Sequence, residues 1–88
     1  MAARVSFRGE IYQEGALYVA ICPELDVSSF GTTPREAEDS LREAVSAFLE
    51  GCEALGSLTE VLEEAGFVRE GDAWVSRTPV LAKSLTTE

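Results

Sequence analysis

Apolar positions recur at period two up to residue 30 and at period three to four after residue 34, so the chain divides into strands followed by helix. From Arg4 to Gln13, Val5, Phe7 and Ile11 fall on one side and Arg8 and Glu10 on the other. This predicts a half-exposed strand, weakened at its middle by Gly9. Gln13–Glu14–Gly15 reads as a hairpin connection. Leu17, Val19 and Ile21 then alternate with Tyr18, Ala20 and Cys22, giving a strand with little on either face that wants water. Pro23 removes a backbone donor, biases Cys22 towards an extended conformation and ends that strand. Asp26 to Phe30 predicts a short third strand, with Val27 and Ser29 opposing Ser28 and Phe30. Three strands in sequence order form an antiparallel meander.

A helix start follows Gly31. Thr33 is an N-cap residue, Pro34 occupies the first helical position, and Glu36 places a carboxylate three residues past the cap. The helix is expected to run from about Pro34 to Leu55. Ala37, Leu41, Ala44, Val45, Phe48, Leu49, Cys52 and Leu55 form one apolar stripe along it. Leu41, Val45, Phe48 and Leu49 each contribute about 1.5–3 kcal/mol if fully buried on the sheet. Gly51 weakens the pattern, and Gly56 is the expected stop. Ser57 and Glu60 carry a second capping-box signal for a short helix, Leu58 to Ala65. Leu58, Val61, Leu62 and Ala65 make its apolar edge, and Gly66 ends it with Phe67 packing back. Glu70–Gly71–Asp72–Ala73 is a turn signal flanked by β-formers. Trp74 and Val75 belong to a fourth strand that joins the sheet or pairs locally, with Trp74 as a lid on the core or, given its late position, a dimer contact. Thr78 to Glu88 has Val80, Leu81 and Leu85 without a firm period and reads as an edge strand or a tail that orders on a partner. The expected fold is α+β in two layers. A three- or four-stranded, mainly antiparallel sheet in the order β-β-β-α-α-β has one long amphipathic helix on one face. The 88 residues are read as a single domain, with a core at about 4–55, a short helix and strand at 57–77 and a tail at 78–88.

Charge changes the picture. The chain carries 16 acids and 7 bases, a net charge of −9. Between Pro34 and Gly66 there are nine acids against two bases, Arg35 and Arg42. An acidic helical layer repels a phosphate backbone, which argues against nucleic-acid binding, and it attracts a basic partner. The plainer reading is a solvated face that keeps a small protein soluble. No run approaches a membrane span, the longest being Ala16 to Cys22, and the N-terminus has no long apolar region of a signal peptide, so a cytoplasmic protein is expected. The chain has no histidine. The usual partner of a serine or cysteine nucleophile is therefore missing, and Cys22 and Cys52 alone lack the spacing of a zinc site. Both cysteines read as small buried hydrophobes. No glycine follows a strand in a phosphate-cradling motif. We expect no catalytic residues, no metal and no cofactor, and hence no enzyme.

The segment YVAICPELDVSSFGTTPREAEDSLREAVSAFLE, Tyr18 to Glu50, resembles the core of the HicB-like antitoxin family. The matching positions are Tyr18, Pro23, Leu25, Gly31, Thr33, Glu36, Ala37, Leu41, Glu43 and Ala44, and the resemblance covers roughly Val5 to Leu55. Asp26–Val27–Ser28 stands where the family often has a Pro-Gly-Cys-type segment, and there is no room for the DNA-binding module that many members append. The resemblance implies a reduced ribonuclease H-like core without its acidic metal constellation. It also implies a partner, a small basic RNA-cleaving toxin of the HicA-like type, neutralised by occluding its active surface. Tyr18, Glu24, Asp26, Glu36, Asp39 and Glu43 are the candidate partner-binding residues. Each has a plainer role: Tyr18 as filling for the second sheet face, Glu24 and Asp26 as a polar loop, and Glu36, Asp39 and Glu43 as solvated helix-surface acids. The alternatives are a solitary interaction or scaffold domain with no toxin partner and, further off, a metal- or ligand-binding protein using the acidic helix. Short strands leave open sheet edges, so a homodimer or higher homo-oligomer is expected.

Overall fold

The computed structural model describes residues 4–77 and 81–87. The elements are β1 (Arg4–Ser6), β2 (Glu10–Glu14), β3 (Leu17–Cys22), β4 (Val27–Gly31), α1 (Pro34–Ala54), α2 (Leu58–Glu64), β5 (Val68–Glu70) and β6 (Ala73–Val75). They form two small sheets. β2–β3–β4 is an antiparallel meander, and in β1–β6–β5 the central β6 pairs antiparallel with β5 and parallel with β1. The class is α+β with one long helix and one short one, as expected. The single sheet and the order β-β-β-α-α-β are corrected to two sheets and β-β-β-β-α-α-β-β.

The expected first strand, Arg4 to Gln13, is split because of Gly9. A Cβ built there would lie 3.0 Å from Leu41 Cδ2, so the chain passes close under α1 and a side chain here would have to push the Leu41 methyl aside by a few tenths of an ångström. Ladder pairing stops at this crossing, and the chain moves from one sheet into the other. The β2–β3 connection is a two-residue turn at Gly15–Ala16, one residue later than expected, with Gly15 in the left-handed region at φ +62°. Along β3, Tyr18, Ala20 and Cys22 face α1, with Ala20 and Cys22 fully buried, while Leu17, Val19 and Ile21 form the outer face.

The junction of β4 and α1 sets how the helix lies. Gly31 is buried, and a Cβ there would come within 2.6 Å of the Ala37 backbone N and of Glu36 Cβ. The first turn of α1 therefore rests directly on the end of β4. That turn is held by Thr33, whose Oγ1 accepts the Glu36 N–H at 3.0 Å, and by Pro34 at the first helical position. Ala37, Leu41 and Val45 seal the helix onto the sheet and join Ala20, Cys22, Leu25, Leu62, Phe67 and Trp74 in one buried cluster. Val5, Phe7, Leu49, Leu58 and Val61 pack around it.

Two members of the expected stripe are exposed, and Ala44 and Leu49 are half-buried. Phe48 is 39% exposed and Leu55 84% exposed. A 21-residue helix is about 32 Å long, whereas a six-residue strand reaches only about 20 Å. The C-terminal turns of α1 overhang the meander, and α2 with β1 shelters only the side that carries Leu49. Leu55 is the C-cap itself.

Both helices end in the same device. At α1, Gly56 (φ +76°) donates to Glu53 O at 3.0 Å and Ser57 N–H to Cys52 O at 2.9 Å. At α2, Gly66 (φ +93°) donates to Glu63 O at 3.1 Å and Phe67 N–H to Leu62 O at 3.0 Å. These are Schellman closures. The first one corrects the expected Ser57–Glu60 capping box. Ser57 is already committed to ending α1, its hydroxyl turns back to Cys52 O at 3.3 Å, and it makes no side-chain cap for α2. Trp74 is buried as a lid, with the Arg69 guanidinium 5.6 Å from its ring centre. Cys22 and Cys52 are buried free thiols. Residues 81–87 have no regular structure, and Leu81 and Leu85 are exposed; the expectations for Thr78, Val80 and Glu88 lie outside the described residues.

Two glycine substitutions separate packing from propensity. Gly31→Ala should destabilise the chain by about 1–3 kcal/mol, because the added methyl group meets backbone. Gly51→Ala meets nothing within 4 Å in the last turn of α1 and should stabilise by up to about 1 kcal/mol. Urea unfolding of the two variants beside the parent measures both.

Candidate protein-binding face

The candidate residues come from three places: the α1-facing side of β3, the turn between β3 and β4, and the outward side of α1. The turn is tight because Pro23 pre-sets its first corner. Leu25 N–H donates to Cys22 O and Asp26 N–H to Pro23 O, both at 3.3 Å. Leu25 is buried beneath it, and Asp26 is left in the left-handed region at φ +56°, a conformation aspartate tolerates better than most residues.

The six candidates are not equivalent. Tyr18 is half-buried and packs on the core, leaving part of its ring for contact. Glu24 is turned inward: one carboxylate oxygen lies 3.4 Å from the Arg8 guanidinium, and the other is buried without a hydrogen-bond partner. Glu36 acts on its own helix. Its carboxylate accepts from Thr32 N–H at 3.0 Å and from the Thr32 hydroxyl at 2.7 Å. These two bonds hold its pKa below the ordinary glutamate value. Asp39 shares Arg42 with Glu38, at 3.0 and 2.9 Å. Among the described residues Glu43 and Asp26 pair with no base, and both are exposed.

At about 100° per residue, Glu36, Asp39, Glu43 and Glu50 fall along one outward ridge of α1, and all four are exposed. Glu50, a polar-face acid of the helix, was not among the candidate partner-binding residues. Its seven-residue spacing from Glu43, two helical turns, was the signal that places it there. Arg42, three and four residues from its partners, was legible in the same way. Glu50 and Glu53 also rim a cavity of about 130 Å³ whose floor is Val5, Phe7, Val45, Leu49 and Leu58. That volume is below the several hundred Å³ of a typical small-molecule site. No group of three or more Cys, Asp or Glu residues able to hold a metal ion occurs among the described residues, and none of their helices is long and apolar enough to cross a membrane. The ridge offers carboxylate acceptors for lysine and arginine. Burial pushes the Cys22 thiol above its ordinary pKa, which keeps it protonated and unreactive.

Set against known proteins, the chain matches no family model, no curated protein and no solved structure.

The Glu36 carboxylate gives the helix start a pH dependence with a definite sign. A carboxyl whose pKa is depressed by folding adds stability that is present above its unfolded pKa and is lost as pH falls through the folded value. Acid titration of unfolding stability should therefore show a decrease below the ordinary glutamate range. Glu36→Gln should reduce that decrease while leaving the neutral-pH far-UV spectrum intact. An unchanged acid profile in the variant would place the dependence elsewhere.

Proposed function

We propose that this chain is a HicB-like antitoxin-type protein of the cytoplasm, which binds a small basic RNA-cleaving toxin and blocks its active surface. The observation that carries the reading is the one-sided acidic ridge of α1, with Glu43 and Glu50 exposed and paired with no base among the described residues. The order of strand, Pro23 turn, strand ending at Gly31, Thr33 cap and long acidic helix supports it, since that order carries the resemblance to the antitoxin family. In this reading Glu43, Glu50 and the exposed Asp26 meet lysine and arginine side chains of the toxin. Glu36 and Asp39 add to the field while keeping their bonds to Thr32 and Arg42. Glu24 stays with Arg8 and stiffens the turn. Part of the Tyr18 ring contributes apolar contact. Occlusion by an acidic surface needs no chemistry from this chain, only complementary charge that speeds encounter and a fit that excludes RNA.

Calorimetric titration with a HicA-like ribonuclease encoded beside this chain's gene tests the proposal. The parent should bind and inhibit RNA cleavage, with affinity falling as salt rises. Glu43→Lys combined with Glu50→Lys should weaken binding by tenfold or more, because each reversal replaces an attraction with a repulsion. Both positions are exposed, so the fold should be retained. Absence of binding, or an affinity indifferent to the double reversal, would remove the toxin reading and leave a scaffold domain of the same fold.

A further inference from the structure

We infer that β4 is a self-association edge, at which a second copy of this chain pairs its own β4 antiparallel across a two-fold axis, joining two three-stranded meanders into one six-stranded sheet. This does not depend on the toxin reading: it uses the sheet edge at β4 and not the acidic ridge of α1, and of the residues assigned to the toxin Asp26 and Tyr18 adjoin that edge.

The meander has two edges, β2 and β4. The β2 edge, Glu10–Ile11–Tyr12–Gln13–Glu14, is guarded. Two copies paired antiparallel about Tyr12 would set Glu10 against the other copy's Glu14, acid facing acid along the ladder. The β4 edge, Val27–Ser28–Ser29–Phe30–Gly31, has no charge and no proline, so it lacks the usual protections of an exposed edge. Its backbone groups complement those of an identical strand run antiparallel, the self-matching surface that a two-fold requires.

Apolar surface lies on both sides of this edge. On the outer face Phe30 is 63% exposed beside Leu17, which is 42% exposed. With Val19, Ser28 and Ser29 they line an uncharged groove of about 470 Å³. On the helix side stands Phe48. Ala37, Ala44 and Phe48 are spaced by seven and four residues and so share one flank of α1. Ala37 is the residue seated on Gly31, which directs that flank to β4. The other flank, with Glu38 and Arg42, lines the cavity beside Gly9 and Ile11.

Charge identifies the occupant. At about 100° per residue, every charged residue of α1 (Arg35, Glu36, Glu38, Asp39, Arg42, Glu43, Glu50 and Glu53) falls on one half of the helix. The half towards β4 carries Ser40, Ala44, Ala47, Phe48 and Gly51. Two copies of a −9 chain repel wherever acid meets acid, and this side is where they can approach without it. A basic protein would find only Asp26, at the end of the strand, to pair with. A five-residue strand pair alone makes a small contact, and the phenylalanines above and below it supply the apolar area a stable dimer needs.

Sedimentation velocity and light scattering on the full chain test this directly. The parent should run as a dimer at micromolar concentration. Ser28→Glu with Phe30→Glu, both at exposed positions, should raise the dimer dissociation constant by tenfold or more and leave the far-UV spectrum of a folded monomer. Glu14→Lys on the other edge should not lower the mass. Hydrogen exchange should show outward β4 amides protected in the parent and released in the double variant. A parent that stays monomeric at high concentration overturns the inference. A dimer that survives the β4 substitutions overturns it equally, because its contact then lies elsewhere.

Discussion

The fold depends on one close contact, the seat of the α1 N-terminus on Gly31. With a hydrogen in place of a side chain, β4 lets the helix backbone come down onto the sheet, and a methyl group would collide with backbone that cannot swing aside. The Thr33 cap and Pro34 fix where the helix begins, and the seat fixes how far above the strands it lies. Ala37 has to be small at this point. Leu41 and Val45, one and two turns further, then reach Ala20 and Cys22, which are small for the same reason. At Gly9, the matching close approach on the far side of the meander, the N-terminal strand slides under Leu41 and passes from one sheet to the other. The helix is thus held close at both margins of the meander by residues that lack side chains.

That clamp explains which parts of the structure were legible in the sequence. The α1 start was, because capping chemistry is local: Thr33, Pro34 and Glu36 act within one turn. The glycine stops of both helices were, because a left-handed residue after an apolar run has few other uses. The burial of Trp74 and the two cysteines followed from apolar character alone. Gly9 was legible as a weak point in the first strand, but the passage from one sheet to the other there was not, since it involves Leu41, thirty-two residues away. Nor was the parallel pairing of β1 with β6, which joins Val5 to Trp74 and has no local signature. Ser57 misled because two motifs claim the same residue, and the closure of the long helix prevails over the cap of the short one. Phe48 misled because periodicity reports which side of a helix a residue is on but not how far the underlying sheet extends.

The candidate binding residues divide in the same way. Carboxylates within reach of a local partner are taken up by it: Glu36 by Thr32, Asp39 by Arg42. Those spacings were readable. Glu24 is taken by Arg8 across the meander, a pairing that no spacing shows. Glu43 and Glu50 remain, set two turns apart with no base opposite either of them among the described residues.

The charge distribution argues against a purely solubilising role for these acids. A helix that only needs to stay dissolved gains nothing from sorting its charges, since a mixed surface hydrates as well and repels itself less. Here every charge of α1 stands on the half that faces solvent and β2, and the half towards β4 has none. Sorting of this kind costs some self-repulsion, which Arg42 relieves at one point only. It gives in return two surfaces that cannot be confused: an acidic ridge that a second copy avoids and a basic partner seeks, and a neutral edge where the preferences reverse. With the ridge and the edge on opposite halves of one helix, a dimer formed through β4 would leave both of its ridges open to further partners.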